Sequence, residues 1–234
     1  SHNSVDFEIE KDEGNVWIVY GSGTKTHDSD FKSIEKALCE VFSLRPNVRL
    51  LIVGYLTIPD GLLEHRQKIN KIGIVSLKSY NCYLKFADIS IAPLLNSEFA
   101  DAKSEIKWLE AAFFKKPSVV SDTKTFSEVV SHNHDGLIAS NVSEWVDYLL
   151  YLIDNDFERE RIGLNAYETA VENYSLEVMS ENIASIIDET ISNDKYSTRS
   201  AKTKIVFVNV LFKPNTIGGG TVVFEKCIEL LKKD

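Results

Sequence analysis

The sequence predicts a doubly wound α/β domain, a Rossmann-like parallel sheet with helices on both faces, and three observations predict it. Short aliphatic and β-branched runs recur that are apolar throughout rather than at every second residue, the pattern of strands buried on both faces. Stretches with apolar residues at helical spacing separate these runs, so strands and helices alternate. Several runs stop at chain-breaking residues, namely Gly21, Gly54 and Pro93. In sheets of this kind ligands bind beyond the carboxyl ends of the strands, beside helix N-termini.

Taken in order, VWIVY (16–20) is the first strand. From 28 to 42, Phe31, Ile34, Leu38, Val41 and Phe42 recur at helical spacing. VRLLIVG (48–54) is the second strand and KIGIVSL (71–77) the third, followed by a helix over 80–86. DISIAPL (88–94) is the fourth strand, a helix spans 103–115, and SVVS (118–121) is the fifth. A short helix over 125–131 and the strand GLIA (136–139) follow, and helices at 142–154, 156–174 and 176–192 complete the unit. The expected organisation is a polar segment 1–13, the Rossmann-like domain 14–192 and a polar linker 193–203 without periodicity. Residues 204–234 then restart as strand, glycine-rich loop and helix, the opening of a second domain.

The chain has 234 residues, enough for one large domain or one domain plus part of another. Its 44% hydrophobic and 26% charged residues are those of an ordinary soluble globular protein. No apolar run approaches the roughly 18–20 residues of a membrane span. The net charge of -9 argues against general nucleic-acid binding and leaves room for a local basic pocket. Cys39, Cys82 and Cys227 are odd in number and form no Cys-x-x-Cys pair, so neither a disulfide framework nor a zinc site follows. A reducing cytoplasm is the natural compartment, with peripheral association at the inner membrane face left open.

Four stretches carry candidate chemistry. In YGSGTKTHD (20–28), Gly21 and Gly23 let the backbone turn tightly, and free amides, Thr24, Thr26 and Lys25 suit a phosphate. A plain strand-to-helix turn with Asp28 as N-cap explains the same residues. SHNHDG (131–136) offers two histidines and an aspartate, completes no metal set, and reads as a surface turn. IGGGT (217–221) suits an anion at a helix start, or a loop that packs closely. On the 103–115 helix, Lys103, Lys107 and Glu110 fall at i, i+4 and i+7 and share a face, with Asp101 or Ser104 as caps. That face is either a solvated salt bridge or a site for a ligand with negative charge and hydroxyls. A carboxylate accepts two ribose hydroxyls, and lysines with a serine hold a diphosphate.

The order of pieces HDSDFKSIEKALCEVFSLRPNVRLLIVG, FADISIAPL, AKSEIKWLEAAFFKKPSVVSD and HDGLIASNVSEWVDYLLYLIDNDFERERIGLNAYETAVENYS resembles the donor-binding C-terminal half of retaining GT-B glycosyltransferases. The likeness is to family 4-type enzymes of bacterial polysaccharide and O-antigen assembly, and it covers nearly all of 14–192. The family carries two glutamates on this helix; the second precedes an alanine and holds the ribose hydroxyls, and Glu110-Ala111 matches it. The position of the first, which faces the donor sugar, is Ala102, followed here by Lys103, Ser104 and Lys107 in a subgroup-like arrangement. The family's basic pair near the first strand lacks a clear Arg, and Lys25 stands in for it beside Gly23 and Thr24.

The resemblance implies a metal-independent enzyme with no cofactor beyond its nucleotide-sugar donor, passing the sugar to a glycan or lipid-linked acceptor. Lysines and helix amides would neutralise the diphosphate. The stretch 204–234 is similar to the start of a GT-B N-terminal half, which suggests a piece of a tandem glycosyltransferase whose own N-terminal half is missing and which is inactive alone. The alternative is a non-catalytic scaffold domain of a larger glycan synthase, with Ala102 marking lost donor binding. A nicotinamide-dependent dehydrogenase is disfavoured, because a G-x-G-x-x-G loop and the acidic residue that should follow it are not both present.

Overall fold

A computed structural model of the chain describes residues 11–12, 14–23, 27–97 and 103–192. The chain divides into two compact units, Ser1–Val178 and Met179–Asp234. The expected linker, the second-domain start and its IGGGT loop lie outside the described residues.

Six strands form one sheet in the order β3-β2-β1-β4-β5-β6. They are β1 (Val16–Ser22), β2 (Val48–Gly54), β3 (Ile69–Ile72), β4 (Ile89–Ala92), β5 (Ser118–Ser121) and β6 (Leu137–Ala139), and every pairing is parallel. This is the doubly wound order in which the chain winds outward from β1 to β3 and then returns to lay β4 against the other side of β1. The helices are α1 (Asp28–Lys32), α2 (Glu35–Leu44), α3 (Leu77–Phe86), α4 (Ile106–Ala112), α5 (Lys124–Ser127), α6 (Val142–Asp154), α7 (Asp156–Tyr174) and α8 (Leu176–Ser192), with a 3-10 segment over Asp60–Lys68.

Both faces of β1 are buried, and its alternate residues enter different cores. Ile18 and Tyr20 join Leu38, Phe42, Leu50, Ile52 and the α6 residues Trp145 and Leu149. Trp17 and Val19 join Leu51, Val53, Tyr83 and Leu84 on the other face. A third cluster packs Trp108 and Ala112 of α4 against Val120, Phe126, Ala166 and Ala170. A fully buried side chain of this size contributes about 1.5–3 kcal/mol, so the two-sided burial of β1 explains why its sequence has no polar face.

Local boundaries differ from the sequence expectations for identifiable reasons. The single helix expected over 28–42 is two, α1 and α2, with the chain turning at Ser33 and Ile34. The strand expected over 71–77 is β3, which ends at Ile72. Residue 77 instead opens α3, capped by Ser76, whose hydroxyl accepts from the Ser79 amide at 3.1 Å. The apolar run was misleading because Ile74 and Leu77 face solvent, each 62% exposed. The helix expected over 103–115 is the seven-residue α4, whose N-cap is Glu105 with no side-chain capping bond. Asp28 belongs to the first turn of α1 and the cap position is His27; the Asp28 carboxylate accepts from the Thr57 amide at 3.1 Å instead. In SHNHDG, residues 131–134 are exposed as a turn should be, but Asp135 is 2% exposed. It accepts from the Ser131 amide at 2.7 Å and the Thr169 hydroxyl at 3.0 Å, which makes it a structural anchor.

Gly54 ends β2 beside Ser22, the last residue of β1, at φ +108°. A Cβ there would overlap the Ser22 carbonyl oxygen, which itself accepts from the Tyr55 amide at 3.0 Å. Gly54→Ala is therefore expected to lower the unfolding free energy by about 1–3 kcal/mol, read as a lower urea midpoint at unchanged slope. An unchanged midpoint would show that the strand end accommodates the methyl group.

Candidate functional site

The reversal of winding at β1 and β4 leaves a crevice beyond their carboxyl ends, because the connections from the two strands lead away to opposite sides. The loop after β1 leads into α1, and the loop after β4 leads towards α4. These segments carry charged side chains that meet at one place.

Asp30 of α1 is the meeting point, a carboxylate in a residue only 4% exposed. Its Oδ1 accepts from the Leu95 amide at 3.1 Å, beyond β4. Its Oδ2 accepts from Lys103 Nζ at 2.6 Å and lies 3.4 Å from His27 Nδ1. Burial pushes this carboxyl up, but the bonds from Lys103, Leu95 and His27 outweigh it and hold the group below the usual carboxylate range. One buried anion thus ties together the entry of α1, the exit of β4 and the chain ahead of α4.

Two residues of α4 lie beside this knot. Lys107 is half-buried, and its ammonium is held below the ordinary lysine range by burial and by the nearby Lys103 charge, against the pull of Glu110 and Asp30. Glu110 is also half-buried; burial raises its carboxyl, while a hydrogen bond from Tyr80 and the Lys107 charge draw it back. Tyr80 of α3 reaches Glu110 over the end of β1, and there Gly21 is needed, since a Cβ at that position would overlap the Tyr80 hydroxyl. The tight-turn role expected for Gly21 is thus joined by a clearance role. His27 has burial, Lys107 and Lys103 all disfavouring its imidazolium, opposed by Asp30, and its affinity for a proton falls below the ordinary histidine value.

The expected site residues are therefore distributed unevenly. Lys103, Lys107 and Glu110 come to the crevice, although Lys103 precedes α4 and reaches it through Asp30 rather than along a helix face. Ser104 is exposed, and so is Gly23, where a Cβ would meet nothing within 4 Å. Thr24 and Lys25 lie outside the described residues, as does the proposed cap Asp101. With seven residues, α4 is also too short to supply the helix-terminus amides expected of a longer helix. His27, Asp30 and Tyr80 were not singled out by sequence reasoning. In THDSD, Asp30 is one of two acids in the first turn of α1, and its burial sets it apart. Among the described residues, no group of three or more His, Cys, Asp or Glu side chains is arranged to hold a metal ion, and no helix is long and apolar enough to cross a membrane.

Comparison with known proteins gives this geometry a family. No curated protein matches the sequence. Solved structures do match the fold. A mutant of S. aureus TarM, in complex with fondaparinux, alpha-GlcNAc-glycerol and UDP, superposes with a TM-score of 0.63 at 17% identity, covering 77% of this chain and 37% of that chain. Anabaena HepE in complex with UDP-glucose gives 0.60 at 16% identity, over 75% of this chain and 49% of that one. The C-terminal domain of the group 1 glycosyl transferase LpcC from Francisella tularensis gives 0.55 at 15% identity, over 69% and 87%. The chain thus spans less than half the length of the first two, and what it shares with all three is the GT-B-type Rossmann-like fold. The model of the family described as glycosyl transferases group 1 matches residues 19–155, more than half of the chain, with every crevice residue from His27 to Glu110 inside the match; this protein belongs to that family.

Proposed function

We propose that this domain is the donor-binding half of a retaining, metal-independent glycosyltransferase acting in polysaccharide or O-antigen assembly, and that the β1–β4 crevice takes a nucleoside diphosphate sugar. The observation that carries the reading is a half-buried carboxylate, Glu110, set beside the Lys107 ammonium, which itself feels the Lys103 charge, at the switch point of the sheet. Glu110 is the ribose ligand in this reading: a carboxylate is acceptor-only and takes both hydroxyls, and Tyr80 orients it. Lys107 faces the diphosphate most directly, because Lys103 is already engaged with Asp30. That HepE and TarM are recorded with UDP agrees with such a ligand.

In the transfer, the bond between the anomeric carbon and the diphosphate oxygen breaks and a bond to an acceptor hydroxyl oxygen forms. The electron pair leaves with the nucleoside diphosphate, whose departing oxygen takes up the proton that the acceptor hydroxyl loses. Fixed ammonium groups in a partly desolvated crevice stabilise that charge more than water does, because they need no reorganisation as it develops. The acceptor hydroxyl, on a glycan or lipid-linked glycan, belongs to a second, N-terminal half of GT-B type in this reading.

Calorimetry with UDP, GDP and dTDP is the direct test. One of them is expected to bind, and Glu110→Ala to weaken it roughly tenfold to a hundredfold, the loss of one or two hydrogen bonds to a charged group. Binding that ignores Glu110→Ala would remove the ribose assignment, and no binding by any of the three would favour a scaffold domain. A second expectation concerns pH. Lys107 is charged below its depressed pKa and loses its proton earlier than an ordinary lysine as pH rises. Nucleotide affinity should start to fall at a lower pH in the wild type than an ordinary lysine would allow and stay flatter in Lys107→Arg, whose guanidinium remains charged throughout. Equal slopes would show that Lys107 does not contact the anion.

A further inference from the structure

We propose that His27 is a further diphosphate-binding residue of the crevice, that Asp30 positions it, and that it takes up a proton when the diphosphate enters. The inference rests on the donor-site reading above and adds to it two residues and a proton.

His27 is surrounded by charged groups from three segments of the chain. Its Nδ1 lies 3.4 Å from Asp30 Oδ2, the same oxygen that accepts from Lys103 at 2.6 Å. The imidazole side chain is 16% exposed, so it stands at the crevice edge and is not sealed in the core. Lys103 and Lys107 face it, one from the chain ahead of α4 and one from α4 itself, and Asp30 faces it from α1. Two cations and one anion leave an excess of positive charge around the ring. Together with burial, that excess keeps the imidazole neutral near pH 7.

A diphosphate placed against Lys107 reverses the balance. The same site then holds two cations and, with Asp30, three negative charges, and a proton on His27 becomes favourable. Asp30 fixes which ring nitrogen is spent on the protein. With Nδ1 directed at the carboxylate, Nε2 is the nitrogen left to donate to a phosphate oxygen. The proton comes from solvent and ends shared between the imidazolium and the two anions it bridges. Buried between Lys103 and Lys107 without an anion, the same proton would be expelled. His27 thereby adapts the charge of the crevice to its occupant, where a third lysine would have made the empty site costly.

The test uses nucleotide sugars, because a diphosphate diester carries no group of its own that titrates near neutrality. UDP-glucose, GDP-mannose and dTDP-glucose are titrated into the full chain by calorimetry in buffers of different ionisation enthalpy, between pH 6 and 8. The expected result is uptake of up to one proton per ligand bound, with affinity rising as pH falls by at most about tenfold per unit. His27→Gln, which keeps a hydrogen-bonding side chain beside Asp30, should retain binding and lose this uptake. Asp30→Asn should lessen it, since the diphosphate alone then holds the imidazolium beside two lysines. Binding of any of the three without proton uptake in the wild type, or with uptake unchanged in His27→Gln, overturns this inference and leaves the donor site standing. Uptake unchanged in Asp30→Asn removes the positioning role of Asp30, and failure of all three ligands to bind overturns both readings. Absence of uptake in the wild type is decisive by itself, while uptake is assigned to His27 rather than to Lys107 by its loss in His27→Gln.

Discussion

The crevice exists because β1 is buried on both faces and flanked on both edges. β2 pairs along its whole length, from Val16 opposite Val48 to Ser22 opposite Gly54, whereas β4 pairs only at Ile18 and Val19. The carboxyl-terminal half of β1, from Tyr20 onward, is therefore supported by β2 and left open on the β4 side. The charged loops converge on that unpaired stretch. The apolar burial that fixes β1 thus fixes where its last residues, Gly21 and Ser22, are presented, and with them the floor of the site.

Charge in such a place has to be arranged rather than accumulated. A carboxylate at the exposure of Asp30 is tolerated only with its lone pairs satisfied, and each of its three partners comes from a different segment. The cost of burying it constrains the loops: Leu95 has to present its amide and residue 103 its ammonium at the same point. The site is held by this polar knot where the hydrophobic packing ends. The third core cluster, meanwhile, holds α4 from the opposite side through Trp108, whose indole N–H donates to the Asp135 carbonyl at 2.9 Å. Fixed from behind by that bond and from in front by Asp30, Lys107 and Glu110 have little freedom to move away.

Much of this was legible in the sequence, and the rest was hidden for a consistent reason. The strands of the sheet and their order along the chain followed from unbroken apolar runs, because strands covered on both faces leave no other pattern. Glu110 and Lys107 were visible because both stand on a real helix and the resemblance names one of them. Strand and helix ends were less visible where an apolar residue faces solvent, as Ile74 and Leu77 do. His27, Asp30 and Tyr80 were invisible for a deeper reason: each matters through a partner far away in the chain. Asp30 acquires its role from residue 103 and Tyr80 from residue 110. Local spacing explained Gly21 as a turn, while its clearance for the Tyr80 hydroxyl depends on α3 lying across the strand end.

Lys103 and Lys107 each feel the other's charge, and Asp30 and Glu110 offset only part of it at Lys107. Lys103 is engaged with Asp30, and Lys107 stands between that pair and Glu110. In the proposed donor site, a ligand bringing two negative charges would meet Lys107, Lys103 and His27 together with charge, which a neutral sugar could meet only with hydroxyl hydrogen bonds.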